Sequence, residues 1–281
     1  MNRPPIPAEA EASLHPVFQF PKSLIHPLMV PWMWLVDKGL FGEKRLETHV
    51  VMTGFPRSGT TLAQLMVEAC IGDLKAYGKE RRALEIARFG SRASKFLLTK
   101  RPRDIFLIDE IREHYSERSV NLKFILFIRD PRDILTSYHI NKPNEYYVST
   151  IRWKTIHEYW KIAIQRSDTV VVKYEEFVSN PAKTQQELTD FIGWDVIHPF
   201  EEFHKHVPKG FDVGALNGVR KLDSQNSQRW RKQSYTDRIC ELLMDEELEL
   251  TSRLIQLGYE PDASWADEYL AGKIVKPRKA A

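Results

Sequence analysis

The chain has 281 residues, of which 42% are hydrophobic and 28% are charged, a composition ordinary for a soluble protein with a sizeable core. Its 41 Lys and Arg residues against 38 Asp and Glu residues give a formal net charge of +3, too small to indicate nucleic-acid binding. The two cysteines, Cys70 and Cys240, supply neither a disulfide framework nor a zinc-binding Cys/His pattern, so a reducing, cytoplasmic compartment is expected.

The N-terminal segment, residues 1–45, is Pro-rich, and its most apolar stretch is residues 24–36, LIHPLMVPWMWLV. Two prolines interrupt this stretch, which is also shorter than the roughly 20 residues that a membrane span needs. The start of the chain lacks the basic region of a signal peptide, so we expect no transmembrane segment. We interpret residues 1–45 as an extension packed on the domain. The alternative is a lid or membrane-touching flap carrying Trp32 and Trp34.

The first predicted strand leads into a glycine-rich loop. Residues 49–53 are an apolar run typical of a buried parallel strand, and apolar residues recur with helical spacing over residues 62–69. Between them lies TGFPRSGTT, residues 53–61, in which Gly54 and Gly59 have the spacing that lets backbone N–H groups surround an anion at a helix N-terminus. The sequence therefore predicts a strand, a phosphate-binding loop and a helix.

The loop differs from that of an ATP or GTP enzyme. The positions of the Lys and Ser/Thr that would reach the β- and γ-phosphates and Mg²⁺ are occupied by Thr60 and Thr61, so the lysine is missing, and the cation lies inside the loop, at Arg57. Such a loop can hold a phosphate but lacks the ligands for a triphosphate with its metal, so a different activated phosphate is implied. A tight turn without a ligand is the alternative.

Strand and helix patterns alternate along the rest of the chain. This alternation predicts an α/β fold, a single domain with a central, mostly parallel sheet flanked by helices and P-loop-like at its phosphate site. The further predicted strands are residues 96–99, 123–128 and 169–173, and the predicted helices include residues 183–192 and an amphipathic run from Asp237 to Gln256.

A second group of candidate residues follows the strand at residues 123–128. Arg129 stands at its C-terminal end, where open α/β sheets bind ligands. Ser137 comes eight residues later, about two helical turns into the element that begins after Pro131, so the two can share a phosphate only if the chain folds back. Taken alone, Arg129 could equally be a capped strand end and Ser137 a helix surface residue.

Together these motifs resemble those of sulfotransferases that use 3′-phosphoadenosine-5′-phosphosulfate (PAPS), bacterial members in particular. Residues 56–61 match that family's 5′-phosphosulfate loop, and Arg129 and Ser137 match its 3′-phosphate pair at the family spacing. The likeness spans residues 46–262, which leaves residues 263–281 as a basic C-terminal tail. Three further stretches agree with the family pattern, namely LLTKRPRDIF (97–106), VVKYEEFVSNP (171–181) and LGYEPD (257–262).

The resemblance implies transfer of a sulfuryl group from PAPS to a hydroxyl or amine acceptor, giving adenosine 3′,5′-bisphosphate (PAP) and a sulfated product. No metal is needed, because Arg57 and Lys100 can balance the charge that grows on the leaving oxygen. The residues implied in cofactor binding are Arg57, Ser58, Gly59, Thr60, Thr61, Arg129, Ser137, Tyr174 and Arg229.

The general base does not follow the commonest family pattern. Some related sulfotransferases carry a His shortly after the Lys, but here Lys100 is followed by Arg101. A branch resembling protein-tyrosine sulfotransferases and many bacterial members uses a Glu after the first helix, and YGKE, residues 77–80, offers Glu80. We therefore predict Glu80 as the base, with Lys100 and Arg57 as the other catalytic residues. His139, two residues after Ser137, is the alternative base.

Two other classes of protein remain open. In a P-loop kinase or NTPase, Asp130 would act as the metal-binding carboxylate after the strand, although the missing Gly-Lys-Ser/Thr argues against this class. In a catalytically inactive nucleotide-binding protein, the fold would be kept without the reaction, yet such a protein would have no need for Lys100.

The acceptor is expected to be a small molecule or a carbohydrate, and its identity is not indicated. The aromatic residues Trp153, Tyr159 and Trp160 could line an acceptor pocket, but helical spacing explains them as core residues equally well. The sequence does not indicate an oligomeric state.

Overall fold

The computed structural model describes residues 4–11, 14–15, 22–38, 40, 46–89, 94–139, 142–216, 218–222 and 227–272. The chain divides into two compact units. The first unit comprises Met1–Ile128 and Ile156–Leu222, and the second comprises Arg129–Thr155 and Asp223–Ala281.

The strands are β1 (Thr48–Gly54), β2 (Leu74–Lys75), β3 (Phe96–Lys100), β4 (Asn121–Ile128), β5 (Tyr138–His139), β6 (Lys142–Tyr146) and β7 (Thr169–Lys173). The first unit contains a parallel sheet whose strand order is β2-β3-β1-β4-β7. The second unit contains the antiparallel pair β5-β6. The predicted α/β class with a mostly parallel sheet is confirmed.

Helices connect the parallel strands and cover the sheet. The α-helices are α1 (Ala8–Glu11), α2 (Lys22–Asp37), α3 (Thr60–Cys70), α4 (Ala83–Phe89), α5 (Ile108–Tyr115), α6 (Pro131–Leu135), α7 (Thr150–Ala163), α8 (Tyr174–Ser179), α9 (Pro181–Ile192), α10 (Thr236–Met244), α11 (Leu250–Gln256) and α12 (Ser264–Leu270). Short 3₁₀ helices cover Pro102–Leu107, Phe200–Lys205, Gly214–Leu216, Arg229–Arg231 and Gln233–Tyr235.

The central strand β1 explains why the sheet is parallel and buried. All seven of its residues are buried, because β3 and β4 flank it and helices cover its faces. Strands buried on both faces have continuous apolar runs, which is why the pattern at residues 49–53 predicted this strand correctly. The other three predicted strands are also confirmed. β2 was not predicted, because two residues carry no periodicity.

Helix α2 differs from the sequence-based interpretation, because it runs through both of its prolines. Pro27 and Pro31 lie inside the helix, where each removes one backbone donor. Their spacing of four residues puts them on one face, and both are exposed, so water can satisfy the carbonyls that lose a partner. No helix among the described residues is long and apolar enough to cross a bilayer.

The amphipathic run from Asp237 to Gln256 is two helices rather than one. Helix α10 ends at Met244 and α11 begins at Leu250. Between them the Asp245 side chain accepts a hydrogen bond from Leu248 N at 3.0 Å, and Glu249 has a left-handed φ of 48°. An Asp that binds the backbone competes with helix formation, which explains the break.

Within the segment 263–281, predicted to be a tail, helix α12 is ordered around two buried aromatic residues. Trp265 and Tyr269 pack with Trp230, at ring-centre distances of 6.0 and 5.6 Å from it. A solvated tail can therefore begin only after this helix. Residues 273–281 lie outside the described part of the chain.

The aromatic residues of α7 belong to the core. Trp153 is fully buried, and Tyr159 and Trp160 are each 8% exposed. In the first unit, Tyr159 meets Phe106 edge to face at 5.0 Å and Trp160 lies 6.5 Å from Phe55. The core interpretation of these residues is confirmed.

Candidate active site

The glycine-rich loop lies between β1 and α3 in the first unit. Gly54, Arg57 and Gly59 all have left-handed φ angles, of 124°, 65° and 90°. Left-handed residues within a short turn direct backbone N–H groups inward and form a concave anion site. Ser58 is buried, and its hydroxyl donates to Phe55 O, which fixes the loop internally.

Two close contacts explain the glycines of this loop. A Cβ atom on Gly54 would lie 2.3 Å from Phe127 O of the neighbouring strand, and one on Gly59 would lie 2.4 Å from Cδ2 of Tyr174. Tyr174 is 7% exposed and begins α8, directly after β7. Its ring therefore packs against the loop at Gly59. Tyr174 was predicted to contribute to cofactor binding, and this contact is the one that the structure shows for it.

Helix α3 begins at Thr60, with Gly59 as its N-cap residue. The first amides of a helix have no intrahelical acceptor, and the helix dipole adds partial positive charge there. Thr60 is buried, whereas Arg57 and Thr61 are partly exposed. The loop and the start of α3 thus combine backbone donors, two hydroxyls and one guanidinium, a donor set that suits an anion.

The predicted catalytic residues Lys100 and Glu80 meet beside this loop. Lys100 ends β3, and its side chain is only 3% exposed. Its ammonium donates to Thr61 Oγ1 at 3.2 Å and to Glu80 Oε1 at 3.0 Å. Lysine has three N–H donors, and these are the two acceptors of Nζ among the described residues, so one donor remains for a ligand.

Glu80 differs from Lys100 in its exposure to solvent. Its side chain is 57% exposed, so its carboxylate is accessible from outside while it holds the buried ammonium. A backbone hydrogen bond holds the segment around Glu80 at the C-terminal end of the sheet, because Arg81 N donates to Lys100 O at 3.1 Å. The predicted return of residue 80 to this edge agrees with the observed geometry, whereas its role as a base stays a prediction.

Residues 76–80 form a segment, here called the strap, which α3 holds in place. Glu68 Oε1 accepts from Gly78 N at 3.1 Å and from Gln64 Nε2 at 2.7 Å, and Gln64 Nε2 lies 3.4 Å from Lys79 O. Burial raises the pKa of Glu68, although these hydrogen bonds and Lys100 lower it in part. Sequence reasoning missed Gln64 and Glu68.

The predicted 3′-phosphate residue Arg129 belongs to the second unit. Its side chain is 10% exposed, and its Nη2 donates to Asp133 Oδ2 at 2.8 Å. The other oxygen of Asp133 accepts from Trp230 N at 2.9 Å, so one carboxylate fixes both Arg129 and the backbone next to Arg229. Burial raises the pKa of Asp133. Sequence reasoning missed Asp133, which follows Arg129 by one helical turn.

A second buried arginine in this unit is structural. Arg132 pairs with Asp130 and Glu260, and its guanidinium lies 3.7 Å from the Trp230 ring centre and 4.6 Å from that of Trp265. Glu260 belongs to the LGYEPD stretch, whose place in the fold is explained by this ion pair. Both carboxylate oxygens of Asp130 accept hydrogen bonds from Arg132. Oδ1 accepts from the backbone N of Arg132 at 2.9 Å, and Oδ2 accepts from its Nη2.

Ser137, His139 and Arg229 complete the predicted set in the second unit. Ser137 is 7% exposed and lies beyond the end of α6 at Leu135, so the helix-surface alternative is wrong. His139 is in β5, stacked on Tyr147 at 5.2 Å. Arg229 donates to the hydroxyl of Tyr235 at 3.2 Å.

The described residues contain no group of three or more His, Cys, Asp or Glu side chains that could hold a metal ion. The candidate site of the first unit thus consists of the loop, Lys100 and Glu80, with the strap beside them. That of the second unit consists of Arg129, Ser137 and Arg229.

Sulfotransferases are among the solved structures that match part of this chain. The sulfotransferase domain of the Synechococcus PCC 7002 olefin synthase is 15% identical, covering 67% of this chain and 89% of its own, with a TM-score of 0.48. The sulfotransferase domain of the curacin biosynthetic pathway is 15% identical (71% and 98% covered, TM-score 0.47). Mouse sulfotransferase SULT7A1 complexed with PAP is 14% identical (69% and 74% covered, TM-score 0.40).

Comparison with curated proteins gives no significant match. The family model described as "Sulfotransferase domain" matches residues 47–253, which is most of the chain and includes the glycine-rich loop, Lys100 and Arg129. The chain therefore belongs to the sulfotransferase domain family.

Proposed function

We propose that the protein transfers a sulfuryl group from PAPS to a hydroxyl or amine acceptor and releases PAP. The observation that carries this proposal is the position of the Lys100 ammonium, buried between Thr61 of the phosphate loop and Glu80. A cation in this place, with a donor left for a ligand, suits a reaction in which negative charge grows on a leaving phosphate oxygen. Family membership supports the same reaction.

The residues of the loop fit the phosphosulfate end of PAPS. Three left-handed residues and the first amides of α3 supply backbone donors, while Arg57, Thr60 and Thr61 add side-chain donors. We propose that Ser58, Gly59 and Tyr174 shape this site, because Ser58 fixes the loop and Tyr174 packs against Gly59. When bound, PAPS supplies an activated sulfuryl group whose leaving group is the 5′-phosphate of PAP.

Two residues then act during the transfer, Glu80 on the proton of the acceptor and Lys100 on the charge of the leaving oxygen. Glu80 accepts the proton of the acceptor hydroxyl as that oxygen forms its bond to sulfur, and Lys100 donates to the bridging oxygen as the sulfur–oxygen bond breaks. Arg57 helps Lys100 to balance the negative charge that develops on this oxygen. Because Glu80 contacts Lys100 at the end of β3, proton acceptance and charge balance occur at one place.

For the second unit we propose contacts to the nucleotide. Arg129 and Ser137 hold the 3′-phosphate, and Arg229 contacts the nucleotide from a late loop. The hydrogen bond from Arg129 to Asp133 at 2.8 Å supports this role. A guanidinium that is already held in one orientation binds a phosphate more favourably.

A kinase or NTPase function is less consistent with the site. Thr60 stands where the nucleotide lysine would be, so the loop lacks the cation that reaches the β- and γ-phosphates, although Thr61 keeps a hydroxyl at the Ser/Thr position. Asp130, the candidate metal carboxylate, has both oxygens engaged by Arg132.

Thermal unfolding with two nucleotides tests the proposed cofactor. PAP at 100 times its dissociation constant is expected to stabilise the protein by about 2.7 kcal/mol, whereas ATP with Mg²⁺ is expected to leave the melting temperature unchanged. Arg57→Ala should reduce the PAP effect, and Lys95→Ala, which removes a cation outside the loop, should not. Equal stabilisation by both nucleotides would refute the proposal. Transfer of ³⁵S-labelled sulfate from PAPS to a panel of sugars, phenols and amines then identifies the acceptor.

A further inference from the structure

A surface cleft of about 480 Å³ opens on the first unit, along the strap. This volume is in the usual range for a small-molecule site. The residues of its wall that the argument uses are Glu68, Lys75, Tyr77, Gly78, Lys209 and Phe211.

The cleft adjoins the proposed transfer residues. Glu68, in its wall, holds Gly78 N, and Gln64 links Glu68 to Lys79 O, so the wall fixes the two residues that precede Glu80. The charge of Lys100 acts on Glu68 and lowers its pKa, while burial raises it more strongly. A molecule in the cleft therefore lies beside the strap, next to the residues that precede Glu80.

The two walls of the cleft are locked to each other. Asp212 N donates to Gly78 O at 2.9 Å, and a Cβ atom on Gly78 would lie 3.1 Å from Phe211 Cα and 3.2 Å from Gly210 O. Gly78 also has a left-handed φ of 64°. Such a close approach of two backbones requires a glycine, so the cleft is a fixed feature of this fold rather than a gap between loose loops.

Positive charge is concentrated in the stretch of chain that contains the strap, of which Lys75 lines the cleft. Residues 75–82, KAYGKERR, carry four cationic side chains and one carboxylate, a local excess of +3 that equals the net charge of the entire chain. Lys209 adds a further cation on the opposite wall. Among the described residues, neither Lys75 nor Lys209 has a carboxylate within 4.0 Å, so the charges of these two lysines are not neutralised by an ion pair, whereas Arg82 pairs with Glu85 at 3.6 Å.

Two of these cations flank one aromatic ring. Lys75 Nζ lies 5.3 Å from the Tyr77 ring centre, and the guanidinium carbon of Arg81 lies 5.4 Å from it. The buried Nε of Arg81 makes no hydrogen bond within the described part of the chain. Like charges held together without counterions are unfavourable unless an anion completes the site.

We propose that this cleft binds the acceptor and that the acceptor carries an anionic group, such as a carboxylate or sulfate, beside the hydroxyl that is modified. This inference rests on the proposed sulfuryl transfer. The anionic group pairs with Lys75 and Lys209, and the hydroxyl points towards the Glu80 end of the strap. A neutral acceptor would leave the positive charge of the cleft unpaired.

Binding of matched ligand pairs tests the proposal. The first pair is 4-nitrophenyl β-D-glucuronide and 4-nitrophenyl β-D-glucoside, and the second is 4-hydroxyphenylacetate and 4-hydroxyphenylethanol, so that each pair differs by a carboxylate. Dissociation constants are measured by ligand-observed NMR, with and without PAP. We expect the anionic member of at least one pair to bind about tenfold more tightly, and this preference to shrink as salt rises from about 0.05 to 0.5 M.

Charge reversal distinguishes the cleft from the overall charge of the protein. The double variant Lys75→Glu/Lys209→Glu should lose the preference, whereas Lys161→Glu/Lys183→Glu, which changes the net charge equally at exposed helix positions, should keep it. Equal binding within both pairs, no binding of the anionic members, or a preference that survives reversal at Lys75 and Lys209 would overturn the inference. Failure of PAP to stabilise the protein would instead count against the proposed function, and the measurements without PAP still test the cleft.

Discussion

Lys100 and Glu80 form an ion pair whose two members are in different environments. The ammonium is buried and also bound to Thr61, whereas the carboxylate is more than half exposed. The cation is therefore fixed in position, and the carboxylate can exchange its contact with Lys100 for one with an incoming hydroxyl. This asymmetry suits one fixed charge and one mobile proton acceptor.

Replacing Lys100 by Met should lower kcat/KM by about 10² to 10³, the usual loss when one donor to a developing charge is removed. Affinity for PAP should change little, because the loop keeps its other donors. Steady-state transfer of labelled sulfate and PAP titration measure the two quantities. Lys95→Met, just before the same strand, is the control and should behave as the unmodified protein does. Normal turnover of Lys100→Met would exclude its catalytic role.

Replacing Glu80 by Gln should leave PAP affinity intact and reduce transfer by roughly 10² or more, the scale of general-base removal. The amide oxygen of Gln can still accept from Lys100, so the substitution removes the proton acceptor while keeping the hydrogen bond. Single-turnover transfer from PAPS measures the effect, with Glu85→Gln as a nearby control. Undiminished turnover would move the role to His139 or to a reaction without a base.

Helix α3 connects the loop to the strap along one of its faces. Thr61, Gln64 and Glu68 are spaced by three and four residues, so they lie on the same side of the helix. They contact Lys100, the Lys79 carbonyl and the Gly78 amide in that order. This polar stripe opposite apolar residues could have been found in the sequence, because its helical spacing is regular. Its partners could not, since nothing local specifies where residues 76–80 return.

Replacing Gly59 by Ala should destabilise the protein by more than the same change at Gly193. Both residues have left-handed φ angles, of 90° and 77°, which cost Ala about 1–2 kcal/mol. At Gly59 the new methyl group would also overlap Tyr174 at 2.4 Å, adding about 1–3 kcal/mol, whereas no heavy atom of the described residues lies within 4 Å at Gly193. Urea unfolding compares the two variants, and equal losses would show that the Tyr174 contact is unimportant. PAP binding should weaken only for Gly59→Ala.

The short helix α6 shows why the second group of residues was harder to predict. The spacing of Arg129 and Ser137 suggested a continuous helix, but α6 ends at Leu135 and Ser137 is buried beyond it. Asp133 then binds Arg129 and also Trp230 N, nearly a hundred residues away along the chain. Helical periodicity specifies neighbours within an element, and it contains no information about such a distant partner.

At the scale of the whole molecule, the sequence predicted the parallel sheet better than the organisation of the chain around it. The buried strands were recognisable because they are long and continuously apolar, as at β1 and β4. The division into two units was not predicted, because each unit is built from two separate stretches of sequence. The boundaries proposed from the family resemblance, residues 46–262, remain a prediction.

Asp104 connects separate parts of the first unit, and it should make the stability of the fold depend on pH. Its carboxylate accepts from Ala83 N at 2.8 Å and from Arg101 Nη1 at 3.3 Å, and Arg101 in turn donates to Leu14 O. Burial raises the pKa of Asp104 to about 6, because loss of hydration outweighs these favourable contacts. The folded protein therefore holds this proton more tightly than the unfolded chain does.

Because the pKa of Asp104 is higher in the folded protein, its bound proton stabilises the fold. This stabilisation is complete below the pKa of the unfolded chain, near pH 4, and is lost as the pH rises to the folded pKa of about 6. Over this window the free energy of unfolding of the unmodified protein should fall relative to that of Asp104→Asn by up to about 3 kcal/mol, since each pH unit is worth about 1.4 kcal/mol. Urea unfolding of both proteins between about pH 4 and 8 measures the difference, with Asp109→Asn, which removes an exposed carboxylate, as the control. A difference that stays constant with pH would mean that Asp104 remains ionised throughout, and that its contacts with Arg101 and Ala83 outweigh its burial.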